Sequence, residues 1–303
     1  MIEARGLGKR YGQRIAVDGL SFDVRPGVVT GFLGPNGAGK STTLRMIVGL
    51  DRPSQGSVTV DGRPYRDLPA PMREVGALLD AKAFHGKRTA RKHLQWLAQA
   101  GGLPQTRVDE VIDQVGLTSV AGRRIGGFSL GMAQRLGIAT ALLGDPGTLL
   151  LDEPVNGLDP EGIRWFRLLV RRLAAEGRTI VVSSHLMSEM EETADHVLVL
   201  GRGRLIADCS MAELTQRSAA AHVRVVSPDA AALTTVLERA GARVAVAADG
   251  ALAVVALDAP AVGDLAAEHG LRVHELTPRR ASLETAYLEL TGDSVEYRFE
   301  EAR

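Results

Sequence analysis

Eight consecutive residues, Gly34-Pro35-Asn36-Gly37-Ala38-Gly39-Lys40-Ser41, have the order G-x-x-x-x-G-K-[ST] and directly follow an apolar run that ends at Leu33. Glycines let successive backbone N–H groups converge on phosphate oxygens, and a helix beginning here would add the positive end of its dipole. The pattern assigns Lys40 to the β- and γ-phosphates, the Ser41 hydroxyl to Mg²⁺ and Thr42 to a further phosphate oxygen. A second segment, Thr148-Leu149-Leu150-Leu151-Asp152-Glu153-Pro154, is an apolar strand that delivers two acids at its end. Asp152 would hold Mg²⁺ through water, and Glu153 would polarise an attacking water as general base. The chemistry predicted is hydrolysis of a nucleoside triphosphate.

Such residues need strands that end side by side. Short apolar runs at 28–33, 148–151, 179–183 and 197–200 predict buried strands, with helix-compatible segments between them. Runs without alternation suit a parallel sheet covered on both faces, so the expected fold class is α/β. Helical patterns over Ala90–Ala100 and 107–115, broken at Gly101-Gly102 and Gly116, predict a helical insert at about 86–141. Composition softens near 217–221, which places a domain boundary between residues 218 and 219. Beyond it, Val223 and Val225 alternate as in a strand, and Leu233, Val236, Leu237 and Ala240 follow a helical period. Strands at 243–248 and 251–257 are joined by Asp249-Gly250, a hairpin-turn dipeptide. A helix through Val262, Leu265, Ala266 and His269, a strand at 271–277 and a closing helix with Leu283, Ala286, Tyr287 and Leu290 complete the chain. The order βαββαβ plus a helix predicts a small α+β, ferredoxin-like domain over 219–303.

Phe128-Ser129-Leu130-Gly131-Met132-Ala133-Gln134-Arg135, shortly before the Asp152-Glu153 strand, resembles the signature of ABC ATPases. Ser129 can cap the following helix, and its hydroxyl, the Gly131 backbone and the helix dipole make an anion site. In that family the anion is the γ-phosphate of a partner subunit's nucleotide. The common form is Leu-Ser-Gly-Gly-Gln, from which Leu130 and Met132 depart. Asn156-Gly157-Leu158-Asp159-Pro160 resembles the D-loop, in which Asp159 would help to join two subunits. Ser183-Ser184-His185 resembles the H-loop, whose imidazole, in either protonation state, would bond the γ-phosphate and hold water and base in register. Tyr11, in Lys9-Arg10-Tyr11-Gly12, matches the A-loop aromatic that stacks on adenine. Asp80 stands where the family has the Q-loop glutamine, after Val75-Gly76-Ala77-Leu78-Leu79. It reads either as an outer-shell Mg²⁺ group or as part of a groove that a membrane subunit contacts. The resemblance covers residues 1 to about 215. Further on, Ala281-Ser282-Leu283-Glu284-Thr285-Ala286-Tyr287-Leu288-Glu289-Leu290-Thr291-Gly292 is similar to the closing motif of ATPase subunits of daunorubicin- and bacitracin-type exporters. The same residues form an amphipathic packing helix.

The resemblance implies a P-loop ABC ATPase core with a mixed sheet and a helical subdomain, using ATP with Mg²⁺. It further implies export of a drug-like, antibiotic or lipid-like substrate through a separate transmembrane permease subunit. A second ATP-binding subunit, read as an identical copy, would complete each site. The chain would then be cytoplasmic, peripheral on the inner face of the membrane through the permease. Composition agrees: no apolar stretch approaches the roughly 18–20 residues of a span, and no signal-peptide pattern opens the chain. Cys209 is the single cysteine, which fits a reducing compartment. Lys plus Arg and Asp plus Glu both number 36, and aromatics are 4%, so no nucleic-acid partner is expected. The competing class is a soluble ABC ATPase acting on nucleic acid or the translation machinery. It would need two fused cassettes, a long coiled-coil insertion or basic extensions, where this chain has one cassette and no sustained heptads. A nonhydrolytic regulatory module is a third reading, favoured if Asp80, Leu130 and Met132 abolish turnover. Trp96 and Trp165 are expected to pack helices.

Overall fold

The computed structural model describes residues 1–80, 83–217, 221–279 and 282–291. Strands β1 (Ile2–Tyr11), β2 (Arg14–Val24) and β4 (Gln55–Val60) form an antiparallel sheet in the order β2-β1-β4. In β2, Val17, Leu20, Phe22 and Val24 are buried and their neighbours are more exposed, the half-buried pattern of an antiparallel strand. The larger sheet contains β3 (Val29–Leu33), β5 (Val75–Leu78), β6 (Thr148–Asp152), β7 (Thr179–Ser184), β8 (His196–Gly201) and β9 (Arg204–Ser210). Their order is β5-β6-β7-β3-β8-β9, parallel except for the β8–β9 pair. This is the expected mixed sheet, and all four apolar runs lie in its strands. Phe22 meets Phe32 edge to face at 5.4 Å, tying the two sheets into one core.

Helix α1 (Lys40–Ile47) leaves the end of β3, and the short α2 (Pro71–Glu74) precedes β5. The insert contains α3 (Ala90–Ala100), α4 (Thr106–Gln114) and α5 (Leu130–Leu142). Helix α3 is capped by Thr89, which accepts from the Lys92 N–H, and it buries Ala90, His93, Leu94 and Ala98 along one face. Helices α6 (Pro160–Ala175) and α7 (Met187–Thr193) follow β6 and β7. Register makes the site: Leu33 lies opposite Ser184, and Ser183 opposite Asp152, so the loops after β3, β6 and β7 leave the sheet along one edge.

This first unit spans residues 1–210, and a second compact unit begins at Met211. The boundary expected between residues 218 and 219 lies outside the described residues. Helix α8 (Met211–Arg217) belongs to the second unit because it packs against α11 (Leu283–Thr291) there. Between them run β10 (His222–Val226), α9 (Ala230–Arg239), β11 (Arg243–Val246), β12 (Leu252–Val255), α10 (Ala259–Glu268) and β13 (Glu275–Arg279). The sheet is antiparallel, ordered β11-β12-β10-β13, which is the expected βαββαβ arrangement. Its separate core is built on Val223, Val225, Leu233, Leu237, Leu252, Val254 and Val262. The last strand begins at Glu275 rather than at the expected residue 271. Asp229 accepts from the Arg272 backbone N–H at 3.1 Å and Ser227 donates to the Arg272 carbonyl at 2.6 Å, so that backbone is satisfied without a ladder. Of the closing motif, Ala281 and Gly292 lie outside the described residues.

Candidate active site

The turn from β3 into α1 depends on glycine. Gly37 and Gly39 have φ of 85° and 103°, and a Cβ built on Gly39 would lie 2.8 Å from the Ala16 carbonyl oxygen. A Cβ on Gly34 would meet the Leu200 carbonyl oxygen at 2.6 Å. Ala38 N–H donates to the Pro35 oxygen at 3.1 Å and closes the loop. Above it lies a cavity of about 500 Å³ lined by Tyr11, Arg14, Ala16, Glu153 and loop residues that include Pro35, Asn36, Lys40, Ser41 and Thr42.

Lys40 is 6% exposed; its Nζ donates to the Gly34 and Pro35 carbonyl oxygens and lies 3.8 Å from the Glu153 carboxylate. Burial pulls the lysine pKa below its ordinary value, and the Glu153 and Asp152 charges oppose that fall. A cation that has lost most of its water and has one acid 3.8 Å away is ready to accept phosphate oxygens.

Glu153 is held from several sides. His185 Nδ1 is 2.8 Å from its second carboxylate oxygen. Its backbone N–H donates to both oxygens of Ser183, at 3.0 and 3.2 Å, and its carbonyl accepts from buried Gln134 Nε2 at 3.1 Å. These bonds hold Glu153 at φ 48°, a left-handed conformation that costs a non-glycine residue on the order of 1–3 kcal/mol. Ser183, fully buried, also donates from Oγ to Asp152. One strand-end serine therefore orients both acids.

Tyr11 is 46% exposed at the cavity wall. Its hydroxyl donates to Asp51 at 2.8 Å, and Asp51 also accepts from Arg45 Nε at 2.7 Å. Partial burial, with the Asp51 bond added, raises the phenol's pKa, whereas the Arg45 bond holds Asp51 below the usual carboxylate range. The ring is thus anchored at its far end, with Lys9 Nζ 5.0 Å from its centroid.

Ser129, Gly131 and Asp159 do not line this cavity. Ser129 is exposed and caps α5, accepting from Met132 N–H at 3.2 Å. Asp159 caps α6, accepting from Gly162 N–H at 2.9 Å. The two segments meet: a Cβ on Gly131 would lie 2.8 Å from the Gly157 oxygen, and one on Gly157 would strike the Leu130 side chain at 2.3 Å. Signature and D-loop form one surface, with Leu130 resting on the D-loop glycine.

Asp80 lines a different depression of about 580 Å³ between core and helical insert, together with Arg45, Phe84, His93 and Trp96. Trp96 is 51% exposed with the Arg88 guanidinium 4.6 Å from its ring, so it faces this groove rather than being confined to helix packing. Trp165 lies 4.6 Å from the Arg135 guanidinium.

Sequence reasoning passed over Arg14, Asp51 and the roles of Ser183 and Gln134. Only Gln134 and Ser183 sat inside recognised motifs; Arg14 and Asp51 follow from the fold alone. For Mg²⁺ the residues present fit. Ser41 and Asp152 are hard oxygen donors at one sheet edge beside a glycine cradle, and Mg²⁺ takes few protein ligands alongside phosphate oxygens and water.

A family model described as ABC transporter matches residues 17–156, and a domain of unknown function (DUF8746) matches residues 221–284. The uncharacterized ABC transporter ATP-binding protein YhcH of Bacillus subtilis (strain 168) is 37% identical, over 98% of this chain and 97% of its own. The bacitracin transport ATP-binding protein BcrA of Bacillus licheniformis is 41% identical over 72% of each chain. The dimeric structure of MJ0796, a bacterial ABC transporter cassette, is similar with a TM-score of 0.64 at 25% identity, over 70% of this chain and 99% of that one. With more than a third of positions shared across nearly the whole of two chains, this protein belongs to the ATP-binding subunits of ABC transporters.

Proposed function

We propose that this chain powers export of a drug-like, antibiotic or lipid-like compound through a separate transmembrane permease. The observation that carries the chemical half of this reading is the Glu153 carboxylate, fixed between His185 and Lys40 beside the phosphate loop. ATP would lie with adenine on Tyr11 and its polyphosphate along 34–42. Glu153 takes the proton of the attacking water as its oxygen bonds to the γ-phosphorus and the bond from that phosphorus to the β–γ bridging oxygen breaks, releasing ADP; His185 keeps base and water aligned, and Lys40 stabilises charge on the departing oxygens. Ser41 and Asp152 would hold Mg²⁺, which supplies charge neutralisation on the phosphate oxygens.

One chain supplies half of each site. Ser129, Gly131 and Asp159, remote from the chain's own cavity, would meet the nucleotide of a second, identical subunit. The dimeric state of the MJ0796 cassette supports that reading. Closure would reach the permease through the groove that holds Asp80, and the placement of Asp80 there supports its role in that contact over a role at the metal. Among the described residues no helix is long and apolar enough to cross a membrane. As the ATP-binding partner of a permease, the chain would sit on the cytoplasmic face through that subunit. The export assignment draws on the bacitracin transport relative and on the closing motif. The test is to isolate the membrane complex and ask which compounds stimulate its ATPase. Stimulation by a peptide antibiotic or lipid-like compound is expected; a chain that never associates with a multispanning protein contradicts the proposal.

A further inference from the structure

The strands β1 and β2 are joined by two residues, Gly12 and Gln13, with Gly12 at φ 57°, and their terminal pair is Tyr11 opposite Arg14. Residues directly opposite in an antiparallel pair project from the same face. Tyr11 and Arg14 accordingly both line the phosphate cavity. Arg14 Nη2 lies 3.7 Å from the point where a Cβ on Gly37 would stand, so the guanidinium rests over the middle of the phosphate loop.

The charges around the cavity do not cancel at this position. Lys40 has Glu153 at 3.8 Å and two carbonyl oxygens, and Arg45 is paired with Asp51. Arg14 is exposed and makes neither a hydrogen bond nor an ion pair among the described residues. A long, unpaired guanidinium over a loop whose backbone amides gather anions offers a forked donor set that matches phosphate oxygens. It does not belong to the phosphate-loop, signature, D-loop or H-loop residues.

We infer that Arg14 is a nucleotide-binding residue: it reaches from the β1–β2 hairpin to the polyphosphate and completes, opposite Lys40, a pair of cations around it. The inference rests on the ATP-binding reading of this cavity and adds a residue to it. Arg14 therefore discriminates by phosphate number, while its hairpin partner Tyr11 serves the base.

Equilibrium titration of the full-length chain with ATP, ADP and AMP in the presence of Mg²⁺, for wild type, Arg14→Gln and Arg14→Lys, tests this. Arg14→Gln is expected to weaken ATP binding about tenfold, the scale of one exposed charge-assisted contact, with a smaller loss for ADP and no change for AMP. Arg14→Lys restores part of the loss. The salt dependence of ATP affinity should also be shallower in Arg14→Gln, because one charge contact is missing. Equal losses for ATP and AMP, unchanged ATP affinity, or an effect seen only on subunit pairing with monomer affinity intact would overturn the assignment. A wild-type chain that binds none of the three would instead remove the ATP-binding reading beneath it.

Discussion

On the proposed mechanism, turnover depends on Glu153. With the proton acceptor replaced but the hydrogen-bond geometry kept, Glu153→Gln should bind ATP normally and hydrolyse it at least about 100-fold more slowly in a phosphate-release assay. Unchanged turnover contradicts its role as base. Lys40→Ala should instead abolish measurable ATP binding, since the cavity loses its buried cation. Both residues were legible in the sequence because a motif names them. What the sequence withheld were the residues that position them: Ser183 looked like the end of an apolar strand, yet it orients Asp152 and Glu153 only because β6 and β7 pair in one register. Asp51 anchors Tyr11 across 40 positions of chain, a contact no spacing rule could anticipate. His93 offers a pH test at the groove. It is buried, packs edge to face with Phe84, and its Nδ1 has no hydrogen-bond partner among the described residues. Burial, with Arg88 adding to it, lowers its pKa below the ordinary histidine value. The unfolded chain then takes up a proton near pH 6.5 that the folded chain refuses, so this contribution is intact above that pH and is lost as pH falls below it. His93→Leu should flatten the corresponding part of a melting-temperature profile between pH 7 and pH 5, in steps of about one unit. An unaltered slope would show that His93 titrates freely in the fold.

Among the elements, the phosphate loop has no room for a side chain at Gly39. Gly39→Ala places a side chain at φ 103° and within 2.8 Å of the Ala16 oxygen, so strand β2 or the loop must move. The expected result is a stability loss of at least about 1–3 kcal/mol together with lost ATP binding. Gly37→Ala meets only Arg14 at 3.7 Å, and its cost should be limited to the backbone conformation. Equal behaviour of the two variants in melting and titration would refute the steric argument. The parallel strands β3, β6, β7 and β8 were readable because both of their faces are apolar, whereas the short β5 (Val75–Leu78) was not read as a strand. The antiparallel β1–β2–β4 sheet was not, since register shifts between Ala4 and Leu7 and between Lys9 and Arg10 interrupt the alternation that would have marked it. The late start of β13 has a similar cause: Asp229 and Ser227 capture the Arg272 backbone, a contact across 43 and 45 residues that overrides the local apolar pattern.

For the whole molecule, the two units have separate cores. Removing residues 211–303 should leave nucleotide binding intact, as the cavity is built entirely from the first unit. Lower dimer formation or transport in that variant would assign the second unit a bracing or regulatory role, and no change in both would deny it one. On the proposed mechanism, ATP joins two copies through the Ser129–Gly131 and Asp159 surface. Light scattering of the Glu153→Gln chain, in which bound ATP is preserved, measures this most directly. The mass should be that of two chains with ATP and Mg²⁺ and of one chain with ADP; a single-chain mass in both, with ATP demonstrably bound, would contradict the account.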